Sequence, residues 1–173
     1  MSRKIDTYLR LVAFPHTVFA LPFALMSLLV AANGLPSLRV ILLVILCTVC
    51  ARNSAMAFNR LVDHRIDAMN PRTAKRPLPA KELTPSGVAI FVAINSVIFI
   101  AAAWGINRLA FLLSPVALGL IFFYSYTKRF TWLSHLALGL CLAIAPVGAW
   151  IAVTGEIGGP SLLLAGAVAL WVT

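Results

Sequence analysis

The chain has 173 residues, of which 61% are hydrophobic and 11% charged, with a mean hydropathy of +0.97. Soluble domains carry roughly 25% charged residues, so this composition excludes an ordinary soluble core and indicates a polytopic membrane protein. The formal charge is +9, but the basic residues fall between apolar stretches, where they read as topology signals and anion ligands, not as a nucleic-acid surface.

Residues 1–10 form a short basic amphipathic lead. Phe14 to Asn33 is the first apolar stretch and contains Pro15 and Pro22. A basic lead before an apolar run also describes a signal peptide, but the spans that follow favour a retained membrane helix. Asn33-Gly34-Leu35-Pro36 is a turn. Arg39 to Phe58 is the second span, with Arg52 inside it, and an ionisable group at that depth is a functional candidate. Cys47 and Cys50 lack a second ligand pair and read as small packing residues, as does Cys141. A polar segment, 59–86, is expected as a loop. Spans three to five are expected at Gly87–Ile106, Leu109–Tyr126 and His135–Thr154, and Ser161 begins a sixth.

Thirteen residues remain from Ser161 to Thr173. At ~1.5 Å per residue they reach about 20 Å, short of a ~30 Å hydrocarbon core. The expected fold is all-α: a polytopic transmembrane helix bundle of five complete spans plus part of a sixth, one membrane domain over 1–173, incomplete at its C-terminal end. Eleven basic residues precede span one or lie between spans two and three and between four and five, whereas only Arg39 and Arg108 fall on the opposite side. The positive-inside rule puts the N-terminus and the 59–86 loop in the cytoplasm.

The stretch Arg52 to Pro79 carries the chemistry. Asn59, Asp63 and Asp67 are spaced i, i+4, i+8, one face of a helix, and Arg52 lies on that face because seven residues make almost two turns. Pro71, Pro77 and Pro79 end the helix and begin a loop. Two carboxylates and a carboxamide are hard oxygen ligands suited to Mg²⁺, which takes few protein ligands together with substrate phosphates. Arg52, Lys128 and Arg129 approach the same end and suit phosphate oxygens. A diphosphate with an apolar tail fits such a boundary, and a dry, cationic pocket could ionise an allylic diphosphate. A charged cap on a membrane helix is the plain alternative reading of the same residues. His64 reads as a solvated residue, and His16 as either a contact to an aromatic substrate or an interfacial group.

Asn59-x-x-x-Asp63-x-x-x-Asp67, followed by Asn70-Pro71-Arg72-Thr73 and Arg76-Pro77-Leu78, resembles the first signature of the UbiA family of intramembrane aromatic prenyltransferases. Arg52-x-x-Ala55-Met56-Ala57-x-Asn59, Tyr124-Ser125-Tyr126-Thr127-Lys128-Arg129-Phe130 and Ala145-Pro146-Val147-Gly148-Ala149-Trp150 fit it too. The resemblance is greatest to the 4-hydroxybenzoate polyprenyltransferase-like branch, including members assigned to menaquinone synthesis. It implies the N-terminal part of a nine-helix fold in a bacterial inner membrane, and transfer of a prenyl group from a polyprenyl diphosphate to a 4-hydroxybenzoate-like or naphthoate-like acceptor in ubiquinone or menaquinone biosynthesis. It implies Asn59, Asp63 and Asp67 as the catalytic Mg²⁺-diphosphate ligands. Arg52, Lys128, Tyr124, Arg72 and Arg76 are implied as substrate contacts. The family's second Asp-rich motif follows its sixth helix, and the expectation from this sequence is a fragment inactive alone.

Three other readings compete. A transporter or channel would use Arg52 and the acidic face for an anion or proton. A CDP-alcohol phosphotransferase would share Mg²⁺ use, but its Asp-Gly-x-x-Ala-Arg signature is absent. A truncated, non-catalytic pseudo-enzyme is the third.

Overall fold

The structure, a computed structural model, describes residues 3–13 and 21–172. His16 and Pro15 lie outside the described residues. Seven helices and no strand occur among the described residues: α1 Arg3–Leu11, α2 Leu21–Ala32, α3 Leu38–Met69, α4 Pro85–Ile106, α5 Arg108–Thr127, α6 Ser134–Thr154 and α7 Gly159–Val172. Helices α3 to α6 are each long and apolar enough to cross a membrane, while the described parts of α2 and α7 are apolar but shorter. Apolar side chains such as Ile90, Ile94 and Val97 on α4 and Leu112 and Phe123 on α5 are exposed on the outside of the bundle. Outward-facing apolar stripes of this kind are what lipid requires.

Local chemistry sets the helix ends. Ser37 caps α3, and Thr84 caps α4 by accepting from the Gly87 amide at 3.1 Å, with Pro85 in the first turn. Asn107 caps α5 through the Ala110 amide at 2.8 Å and donates its own amide to the Ile151 carbonyl of α6 at 2.7 Å. Gly155, at φ 75°, closes α6 in the left-handed conformation that glycine adopts without cost.

Helix α3 runs unbroken for 32 residues, so Asn59, Asp63 and Asp67 stand on helix as their spacing and Pro71 implied, while the loop expected over 59–86 starts only at Asn70. Nothing between Phe58 and Met69 breaks a helix, and the stop comes only where Pro71 forces Asn70 into extended backbone (ψ 118°). At ~1.5 Å per residue the helix is about 48 Å long, so its last turns rise beyond a ~30 Å hydrocarbon core.

The longest packing runs between α3 and α4, where Asn53 donates to Asn95 at 3.3 Å and the Ser54 and Ser96 hydroxyls meet at 3.3 Å. Helix α6 packs on both α7 and α2. Pro146 interrupts α6, and the buried Ser27 hydroxyl of α2 donates to the Pro146 carbonyl at 2.6 Å. Ser27→Ala is expected to cost about 1 kcal/mol, the usual worth of one such bond between membrane helices, read as a lower unfolding midpoint in detergent. Helix α1 packs against α3 and the first turns of α4. Leu11 and Val12 are buried there with Leu78 and Val88, and Tyr8 stacks on Phe91 with ring centroids 5.0 Å apart. Arg10 of α1 pairs with Glu82 of the α3–α4 loop, which pushes the guanidinium's pKa further up and keeps the pair charged.

Candidate functional site at the end of helix α3

A cavity of about 610 Å³ opens between α3, α5 and α6. Its α3 wall is one unbroken stripe at i, i+3, i+4 spacing from Val44 to Arg60, the signature of a single helix face. Most of the lining is aliphatic, with Cys47 and Cys141 among it as small apolar groups. Arg52, Asn59, Arg60 and Tyr124 bring the strongly polar groups. Arg52 and Arg60 line this space and make no hydrogen bond or ion pair with any described residue.

The same stripe runs on to Asp63 and Asp67, which sit one and two turns past the end of the cavity and do not line it. Both are buried, at 5% and 8% exposure, which is tolerable for carboxylates only because each is paired. Asp63 binds Lys128, and its other oxygen receives Arg129 at 3.3 Å. Arg129 also donates to the Val62 carbonyl at 3.0 Å and lies over the Tyr126 ring. Asp67 takes Arg76 through both oxygens at 2.8 Å. The Thr73 hydroxyl donates to the Asp67 carbonyl at 2.8 Å, folding the loop back onto the end of α3.

Of the sequence-derived candidates, Arg52, Asn59 and Tyr124 line the cavity. Asp63 and Lys128 meet in one ion pair, Asp67 and Arg76 in another. Arg72 is exposed, and only its backbone amide is engaged, with the Asn70 side chain at 3.0 Å. His64 bonds the Leu61 carbonyl of its own helix at 2.8 Å. Arg60 was counted only as a topology charge from the sequence. The signal for it was present in the 52–56–60 spacing, which repeats every four residues along the cavity stripe.

The donor set fits Mg²⁺. Asp63 and Asp67 offer hard oxygens about 6 Å apart along the helix axis, and Asn59 adds a carboxamide. Among the described residues no three His, Cys, Asp or Glu side chains cluster as a complete metal site.

The profile of the UbiA prenyltransferase family matches residues 20–173. The 4-hydroxybenzoate octaprenyltransferase of Vibrio atlanticus is 34% identical over 139 residues, covering 80% of this chain and 48% of that protein. Protoheme IX farnesyltransferase 1 of Vibrio parahaemolyticus is 41% identical over 121 residues, covering 68% of this chain and 40% of that protein. The apo structure of a UbiA homologue from Aeropyrum pernix K1 superposes with a TM-score of 0.83 at 37% identity, over 91% of this chain and 60% of that one. A UbiA homologue from Archaeoglobus fulgidus, solved with GPP and Mg²⁺, superposes with a TM-score of 0.73 over 95% of this chain and 60% of that one; at 22% identity the likeness is one of fold. The chain spans about half the length of the curated relatives it matches. With the profile running from residue 20 to residue 173 and the helices arranged as in solved homologues, the chain belongs to the UbiA prenyltransferase family.

Proposed function

We propose that the α3 end binds the diphosphate of a polyprenyl diphosphate, with its tail in the apolar cavity, and that the full-length gene product transfers the prenyl group to an aromatic acceptor. The observation that carries this reading is the continuity of one helix stripe, apolar and cavity-lining below, then Arg52, Asn59 and Arg60, then Asp63 and Asp67. A tail-and-headgroup ligand needs that order of chemistry. The favoured acceptor is 4-hydroxybenzoate-like or naphthoate-like, which places the enzyme in ubiquinone or menaquinone biosynthesis, in a bacterial inner membrane with the Asp-bearing end facing the cytoplasm.

In this mechanism Asn59, Asp63 and Asp67 are the residues that would hold Mg²⁺ beside the diphosphate. The ion would neutralise charge on the departing pyrophosphate. Arg52 and Lys128 bind diphosphate oxygens, and Tyr124 lines the same space. Arg76 and Arg72 stand at the rim as further cations. The allylic C–O bond breaks and its electron pair leaves with the diphosphate. The aliphatic walls keep water from the carbocation until a ring carbon of the acceptor attacks it. The ring proton is then lost.

The test is Mg²⁺-dependent prenyl transfer by the full-length gene product in membranes, offered 4-hydroxybenzoate, a hydroxynaphthoate or protoheme. Product with either aromatic acid supports the reading. Product with protoheme alone moves the acceptor to the class named for the second relative. Substrate flux in liposomes with no new product would favour the transporter reading. Arg52→Gln is expected to lower kcat/KM about tenfold, the usual cost of one charge-assisted hydrogen bond.

A further inference from the structure

We infer that Arg60 is a further diphosphate-binding residue, the cation that receives the headgroup before the ion pairs around it rearrange. The inference rests on the function proposed above. Five basic side chains line the cavity or pair with Asp63 and Asp67: Arg52, Arg60, Arg76, Lys128 and Arg129. Three of them are committed. Lys128 and Arg129 hold Asp63, and Arg76 holds Asp67. Five cations against two carboxylates leave an excess of +3, and Arg52 and Arg60 are the two of the five that have no bond to any described residue.

Arg60 and Arg52 cannot serve the same oxygens equally. Eight residues separate them, about 12 Å along the helix. Asp63 is only three residues beyond Arg60, about 4.5 Å. Arg60 therefore stands at the carboxylate end of the cavity, and Arg52 deeper among aliphatic side chains. Arg60 also declines the local partner that helix spacing offers, the Asp63 carboxylate at i+3, because Lys128 and Arg129 reach Asp63 from the end of α5. The result is a part-buried guanidinium facing an apolar cavity, flanked by carboxylates that are already neutralised. Such a group attracts a multiply charged anion and can grip it through two N–H bonds. A guanidinium that merely snorkelled to the surface would not line the cavity.

The probe is geranyl diphosphate with Mg²⁺, titrated by calorimetry into the full-length gene product and into its Arg60→Gln and Arg60→Lys variants, each in lipid nanodiscs, with geraniol as the tail-only control. The expected result is a roughly 10- to 100-fold weaker Kd for Arg60→Gln, a smaller loss for Arg60→Lys, and unchanged geraniol binding. The salt dependence of binding should flatten in Arg60→Gln and persist in Arg60→Lys. If wild type binds no geranyl diphosphate, the proposed function falls and this inference with it. If wild type binds and Arg60→Gln binds equally well, this inference alone is overturned. Should Arg60→Gln not fold, Arg60→Lys decides: an unchanged Kd also overturns it, because a second guanidinium N–H bond is what lysine lacks.

Discussion

Asp63→Asn is expected to lower prenyl transfer by the full-length gene product by a hundredfold or more while leaving the protein folded. The substitution keeps the shape of the side chain and removes its charge. Without it, the Mg²⁺-diphosphate proposed here loses a hard anionic ligand, and loss of a preorganised group aimed at developing charge typically costs on the order of 10²–10³ in rate. The fold should tolerate the change because the freed partners are not trapped. The side chains of Lys128 and Arg129 are 35% and 40% exposed, so both can turn to water. Solvent screening limits the stability cost to about 1 kcal/mol or less. Parallel measurements of kcat/KM and of the unfolding midpoint separate the two effects. Retention of more than about a tenth of wild-type activity would count decisively against Asp63 as a ligand. Lys128→Met makes a useful contrast, because it leaves the buried carboxylate with Arg129 alone and should cost stability as well as activity.

The second large effect is structural. Gly139→Leu is expected to destabilise the α6–α7 pair by about 1–3 kcal/mol. A Cβ built at Gly139 would overlap the carbonyl oxygen of Ala169 and sit 3.1 Å from that residue's C and Cα. The obstacle is backbone, so no rotamer change relieves it and the helices must move apart. The buried faces they would lose are Ala143, Ala165 and Ala169, small residues that let membrane helices approach closely in place of a hydrophobic driving force. Gly119→Leu is the matched control, since a Cβ there meets nothing within 4 Å. Equal unfolding midpoints for the two variants in detergent would show that α6 and α7 do not depend on this contact.

Helix type and position were legible from composition and punctuation. Residues 87–106, 109–126 and 135–154 were expected as spans, and α4, α5 and α6 begin and end within two residues of them. Apolar runs bounded by Asn107, by Thr127-Lys128-Arg129 and by Gly155 leave little choice of register. The apolar span expected to end at Phe58 and the helix expected to end before Pro71 are two different boundaries of one helix, because hydropathy falls at Phe58 while helix propensity does not. Polarity marks where a helix leaves the hydrocarbon, whereas Pro71 marks where it stops. The indole nitrogen of Trp150 is buried against Gly158 with no partner among the described residues, a contact between α6 and the following loop that no local pattern encodes.

The i, i+4, i+8 spacing of Asn59, Asp63 and Asp67, together with Arg52 seven residues before, required only the 3.6-residue turn, and so one strip of the candidate site could be written down from the chain alone. Which cations answer those carboxylates could not. Lys128 and Arg129 lie 65 and 66 residues from Asp63 and meet it only because α5 packs back along α3. Arg76 is nine residues from Asp67 and reaches it only because Thr73 folds the loop onto the helix end. Arg60, the nearest basic neighbour of Asp63 on the cavity stripe, is left facing the cavity instead. Spacing along one helix is a local property of backbone geometry. The pairing of charges is decided by which helices the apolar faces bring together, and that depends on the whole fold.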